Sequence, residues 1–189
     1  MSNVEVRGYT VLKTAEYIRQ TAGEQEAKRI FNTFSPDLQY ALGSATAAGW
    51  QPVAISSELF RAVAALAKGN EEKAKQELVT CGKFLASEAT NTFLKLLMKV
   101  LTPSMFAKKL PSLWSRDATA GKFSVDVFDD RIVCRLSEME AFDHIAPISV
   151  GYVSFSLEAM RKHVDRWTLH GWSLAAPNPA ESTFELYWR

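Results

Sequence analysis

The chain has 189 residues, 47% of them hydrophobic and 23% charged, with 22 Lys and Arg against 21 Asp and Glu. A chain of this size and balance can bury one sizeable core, which excludes wholesale disorder and any sequence-wide pull toward nucleic acid or anionic membrane. A membrane span is excluded as well, because the densest apolar run, 93–101, is interrupted by Lys95 and Lys99 and falls far short of the ~20 residues required.

Residues 1–9 are polar and mixed in charge, without the apolar stretch of a secretory signal, so a cytoplasmic location is expected. Val11, Ala15 and Ile18 share one face of a first helix that stops near Gly23, and Ala27, Ile30 and Phe31 continue the pattern in a second. Ser35-Pro36-Asp37 starts a third: Ser35 caps free amides, Pro36 suits the first helical position and Asp37 suits the positive dipole end. After Trp50-Gln51-Pro52, Leu59, Phe60, Val63 and Leu66 define a fourth helix closed by Lys68-Gly69, and Asn70-Glu71-Glu72 opens the next.

The stretch 84–101 is expected to be a central helix, because its apolar stripe is widened by Leu94 and Met98 beyond one face. Pro103 and Pro111 interrupt the next stretch of chain, leaving Met105, Phe106, Leu110 and Trp114 on short capping helices. Past Gly121 the period changes to two. Phe123, Val125 and Val127 alternate with polar residues, Asp129-Asp130 turns the chain, and Ile132, Cys134 and Leu136 complete a hairpin. Residues 149–164 are expected as a helix, and Trp172-Leu174 with Phe184-Leu186-Trp188 as a second hairpin around Pro177-Asn178-Pro179. The expected fold is thus α+β: one domain over 1–189, with a helical bundle over 1–116 and a ββ-α-ββ unit over 121–189.

Catalytic signatures are missing from this pattern. There is no GxSxG elbow, none of the nine glycines forms a GxG pair, and His144, His163 and His170 show no metal-ligand spacing. Cys81 and Cys134 lie far apart and fit buried thiols better than a disulfide or zinc pair. The acidic pairs Glu71-Glu72 and Asp129-Asp130 fit a helix start and a turn. The expectation is a non-enzyme without metal or organic cofactor. What the helical half does offer is an apolar cluster around two prolines, where flexible Met and irregular backbone let a core open into a pocket. Phe60, Phe93, Leu97, Met98, Leu101, Met105, Phe106, Leu110 and Trp114 are the candidate lining, and Arg61, Lys95, Lys99, Lys108 and Arg116 flank it as candidate carboxylate binders.

The segment from Phe123 to Leu136, followed by Val150-Gly151-Tyr152 and the closing Tyr187-Trp188, resembles the hairpin, helix, hairpin unit of three groups. These are the heme-NO/O2-binding domains, the 4-vinyl-reductase-type domains and the palmitate-holding subunits of the transport-particle (TRAPP) tethering complex. With Gly8-Tyr9-Thr10-Val11-Leu12-Lys13 and Trp50-Gln51-Pro52 included, nearly the whole chain is similar to a bacterial paralogous family of unassigned function, numerous in myxobacteria.

The heme branch implies a proximal histidine on a long helix before the sheet and a Tyr-x-Ser-x-Arg motif for the porphyrin carboxylates. This chain departs from both, since its first histidine is His144 and the strand around Cys134-Arg135-Leu136-Ser137 lacks the Tyr and the ordered Arg. Heme-based gas sensing is therefore the weakest of the implied roles. The lipid branch implies a long-chain fatty acid or other apolar small molecule held between helices and sheet, for carriage or sensing. The alternative is a protein–protein interaction or signalling module without ligand, working as a homodimer or on a partner protein.

Overall fold

A computed structural model describes residues 4–89 and 98–189. Strand β1 (Glu5–Arg7) runs directly into helix α1 (Gly8–Ala22), which ends at Gly23 with φ of 83°. Helices α2 (Glu24–Asn32), α3 (Pro36–Ser44), α4 (Val53–Ala65) and α5 (Glu71–Ala89) come next, with β2 (Trp50–Pro52) between α3 and α4. The caps act as their residue types dictate. Ser35 Oγ accepts from the Leu38 amide at 3.4 Å, and Asn70 Oδ1 accepts from the Lys73 amide at 2.9 Å.

Two short helices, α6 (Pro103–Ala107) and α7 (Leu110–Asp117), lead to the strands β3 (Lys122–Val127) and β4 (Arg131–Ser137). Helix α8 (Ile145–Ala159) then precedes β5 (Val164–His170) and β6 (Glu181–Trp188). The sheet is antiparallel in the order β3-β4-β6-β5, so the final strand inserts between two earlier ones. Its inner face carries the rows Val125, Cys134, Phe184, Leu169 and Val127, Ile132, Leu186, Trp167. Residues from both the helical part and the sheet join one hydrophobic core.

Three expectations need correction. The helix expected over 149–164 runs instead from Ile145 to Ala159, and the chain reverses at Arg161, where φ is 63°. Val164 opens a strand. That strand escaped the period-two reading because a bulge between Val164 and Arg166 shifts its register, putting Trp167 and Leu169 inward. Trp172 to Leu174 is not a strand but a loop beyond Gly171, with Trp172 buried against His144 at a ring distance of 5.9 Å. Phe84 does not begin a helix; it lies within α5, which starts at Glu71. The expectations for Phe93, Lys95 and Leu97 fall on residues outside those described. Strands β1 and β2 pair over only three residues each, too few for alternation to show in the sequence.

Helices α5 and α8 cross at very short range because each presents a glycine to the other's backbone. A Cβ on Gly82 would lie 2.0 Å from the Ile148 carbonyl oxygen, and one on Gly151 would lie 2.0 Å from the Val79 carbonyl oxygen. This crossing joins the bundle to the helix that covers the sheet.

Candidate functional site

A cavity of about 490 Å³ opens where the start of α1, the end of α5, α7, β3 and α8 converge. That volume lies in the range of small-molecule sites. Helical spacing explains the walls: α5 offers Leu85, Glu88 and Ala89, α7 offers Leu110, Leu113, Trp114 and Asp117, and α8 offers Ile148, Ser149, Tyr152 and Val153. Phe60 of α4 and Phe123 of β3 close the apolar end. Trp114 is held there by donation from Nε1 to the Ala120 carbonyl at 2.9 Å and by an edge contact with Phe142 at 5.4 Å.

The other end is polar. Arg116 grips Asp117 through Nε at 2.8 Å and Nη2 at 2.7 Å, and Glu88 accepts from Lys13 Nζ at 2.7 Å. Arg7 donates from Nε to the Arg116 carbonyl at 3.1 Å and from Nη1 to the Ala48 carbonyl at 2.7 Å. Tyr9 donates to the Leu85 carbonyl at 3.1 Å, and burial together with Glu88 pushes its pKa up. Burial and Asp117 do the same for Tyr152, so both phenols remain hydrogen-bond donors.

Of the apolar residues expected from sequence, Phe60, Leu110 and Trp114 line this cavity. Met98 and Phe106 are buried in the core away from its wall, Leu101 is partly buried and Met105 is 52% exposed. The breaks around α6 account for this: Thr102 caps a five-residue helix that can bury only one side, so Phe106 turns inward and Met105 outward. Arg116 is the one expected cation at the cavity among the described residues, and Lys99 and Lys108 are exposed.

Arg61 faces a different neighbourhood, paired with Glu58 and with Asp143, whose side chain is only 5% exposed. Removing this arginine would leave a buried carboxylate without its cation. Arg61→Met is expected to lower stability by about 3 kcal/mol. Asp143→Asn should lose less, because the half-exposed Arg61 keeps water and Glu58. Urea denaturation of the two variants measures the asymmetry, and equal losses would contradict it.

Sequence reasoning missed Arg7, Tyr9, Leu85, Glu88 and Tyr152. A strand of three residues and the first turn of a helix bring Arg7 and Tyr9 to the site, which no periodicity could signal. Val153 is buried on α8 at the cavity wall.

Among the described residues no group of three His, Cys, Asp or Glu is placed to hold a metal ion. His144 is buried beside Trp172, whereas His163 and His170 are exposed. Burial pushes both free thiols, Cys81 and Cys134, well above the usual range. Among the described residues no helix is long and apolar enough to cross a membrane.

No family model and no curated protein matches the chain. Solved structures do. The chain is similar to the Fe(II) unliganded H-NOX protein of K. algicida, with a TM-score of 0.72 and 13% identity over 97% of this chain and 96% of that one. It is similar to the S. oneidensis H-NOX protein in the Fe(II)NO state, with a TM-score of 0.69 and 7% identity over 97% and 99%. An oxygen-binding H-NOX domain related to soluble guanylate cyclases matches with a TM-score of 0.62 and 10% identity over 97% and 95%. At these identities the likeness concerns the fold, and the chain has the H-NOX fold.

Proposed function

We propose that the protein is a heme-free, non-catalytic binding module that holds a fatty acid or similar elongated apolar ligand between its helices and its sheet, for carriage or sensing. The observation that supports this most is the cavity itself, whose wall joins an aromatic group, with Trp114 against Phe123, to a charged group in which Arg7 bonds to the Arg116 carbonyl. Such a two-ended site matches an amphipathic molecule with a long apolar body.

Heme is the group the fold suggests, and the side chains present do not fit its iron. The described cavity wall has no imidazole, thiol or thioether, and 90–97 contains none in its sequence. The two phenols have raised pKa values, which disfavours the phenolate needed for tyrosine ligation. An acyl chain requires no such ligand. Burying roughly 12 methylenes at ~0.8 kcal/mol each gives a gross gain of about 10 kcal/mol, from which ordering and association must be subtracted.

Native mass spectrometry and lipid extraction of the purified protein test the proposal. An acyl species that co-purifies, or a rise in melting temperature with added fatty acids, is the expected result. Absence of both would overturn the reading, and a Soret band in the purified protein would return heme to the site. Blocking the cavity gives a sharper check. Ser149→Phe places a ring where a small hydroxyl now lines the wall, and is expected to weaken fatty-acid binding tenfold or more, about 1.4 kcal/mol. The fold should survive, because the ring has the cavity to enter; unchanged affinity in a folded variant would count against this site.

The interaction-module reading is favoured by one feature, the exposure of two large apolar side chains, Val100 at 74% and Met105 at 52%. Sedimentation decides between the two: a tight dimer lacking any ligand supports the module, and a ligand-filled monomer supports the binder.

A further inference from the structure

We propose that Arg7 is the anchor for a carboxylate head group at the polar end of the cavity, an inference that rests on the ligand-binding reading above. Four charged residues line that end: Arg7, Glu88, Arg116 and Asp117. Three of them are already matched. Arg116 and Asp117 neutralise each other through two charge-assisted hydrogen bonds, and Glu88 is held by Lys13. Arg7 has no carboxylate partner among the described residues, which makes it the unmatched charge of the site.

Its guanidinium is nevertheless fixed in place. Two N–H groups donate to the Arg116 and Ala48 carbonyls, and Cζ sits 4.0 Å from the centre of the Trp50 ring. A guanidinium has five N–H donors in a rigid fork, so most of its donors remain free for a ligand. Holding the fork before the ligand arrives removes most of the ordering entropy that a mobile cation would lose on binding. Neither Ala48 nor Arg116 carries a negative charge at its carbonyl, so these contacts orient the cation without neutralising it.

The surroundings favour an anion at the same place. Arg7 is the residue before α1, a helix of 15 residues with no acidic side chain in its first turn and no side-chain cap. The first two amides of α1 donate to the Gly49 and Ala47 carbonyls at 2.8 and 3.0 Å, so neutral backbone and no anion caps this positive end of the helix, and Tyr9 and Thr10 from that first turn line the cavity. Tyr152, also on the wall, has no hydrogen-bond partner for its hydroxyl among the described residues and keeps its proton. It is a second donor available to a head group.

The test compares ligands of one chain length, hexadecanoate and 1-hexadecanol, by displacement of Nile red from the full-length protein. Wild type is expected to bind the acid at least about tenfold more tightly than the alcohol. Arg7→Met should abolish that preference while leaving the affinity for the alcohol, and Lys108→Met, at an exposed cation outside the cavity wall, should retain it. Equal affinities in wild type, or a preference that survives Arg7→Met, would overturn the assignment and leave the ligand-binding reading standing. Failure of both ligands to displace the probe would remove that reading and this inference with it. Should Arg7→Met fail to fold, Arg7→Lys, which keeps the charge and loses the fork, decides: it is expected to reduce the preference partway, and a preference it leaves unchanged would overturn the assignment.

Discussion

Replacing Gly151 with valine is expected to unfold the protein or to destabilise it by about 3 kcal/mol or more. The atoms that a side chain would meet are backbone: the Val79 carbonyl oxygen at 2.0 Å from the added Cβ, and the Lys83 nitrogen at 2.8 Å. Backbone within a helix cannot swing aside as a side-chain end can. The helices must separate, and separation opens the packing of α8 on both α5 and the sheet. Gly82 meets the Ile148 carbonyl oxygen from the other side, so the two glycines form a reciprocal notch.

The sign of the alanine effect identifies the cause. In an exposed helix interior, Gly→Ala ordinarily stabilises by ~0.5–1 kcal/mol. Gly43, in α3 with nothing within 4 Å of its would-be Cβ, should obey that rule. Gly151→Ala and Gly82→Ala should both destabilise. Urea denaturation of the three variants measures the contrast, and a stabilising alanine at 82 or 151 would mean that the helices do not cross this closely.

Stability is also expected to fall as the pH drops from about 6.5 toward 4, by an amount on the order of 3 kcal/mol that His144→Asn removes. Burial pulls the His144 pKa down from 6.5 to about 4, with Asp143 opposing and Arg61 reinforcing. Above 6.5 the ring is neutral in both folded and unfolded chains, so it contributes no pH dependence. Between 6.5 and 4 the unfolded chain takes up a proton that the folded one resists, which favours unfolding. Below 4 both are protonated and the penalty is complete.

Asparagine is the informative replacement because His144 sits at φ 57°, a conformation Asn tolerates better than most residues. The ring also leaves Nδ1 without a hydrogen-bond partner among the described residues. Melting temperature across pH 4 to 7 for wild type and variant is the measurement. An identical slope in both would show that other groups carry the acid sensitivity.

Much of this architecture was legible before any coordinates. The helix starts at Ser35-Pro36 and Asn70, the stop at Gly23 and the hairpin around Asp129-Asp130 all depend on neighbours in sequence, and the structure repeats them. Errors fell where a local rule was interrupted. The bulge in β5 broke the alternation, and the left-handed Arg161 ended α8 without a glycine or proline to announce it.

The candidate site was legible only in part. Phe60, Leu110 and Trp114 reached the cavity, whereas Met105 did not, because hydrophobicity specifies that a residue prefers burial and not which space it enters. Charge was read with less success. Arg61, chosen for its nearness to Phe60 in sequence, answers Asp143 from 82 residues further along the chain, and Arg7, which sequence reasoning passed over, arrives beside Arg116 from 109 residues away.

The α+β order, the absence of any histidine before His144 and the lack of familiar catalytic motifs were all written in the chain before folding, since these are properties of composition and short-range pattern. Folding in three dimensions was needed for α1, α5, α7, β3 and α8 to enclose a cavity and for Arg7 to become its unmatched charge. Which charges cancel and which space stays open depend on distances between segments far apart in the chain, such as the approach of α5 to α8 that two glycines permit and the approach of Arg7 to Arg116.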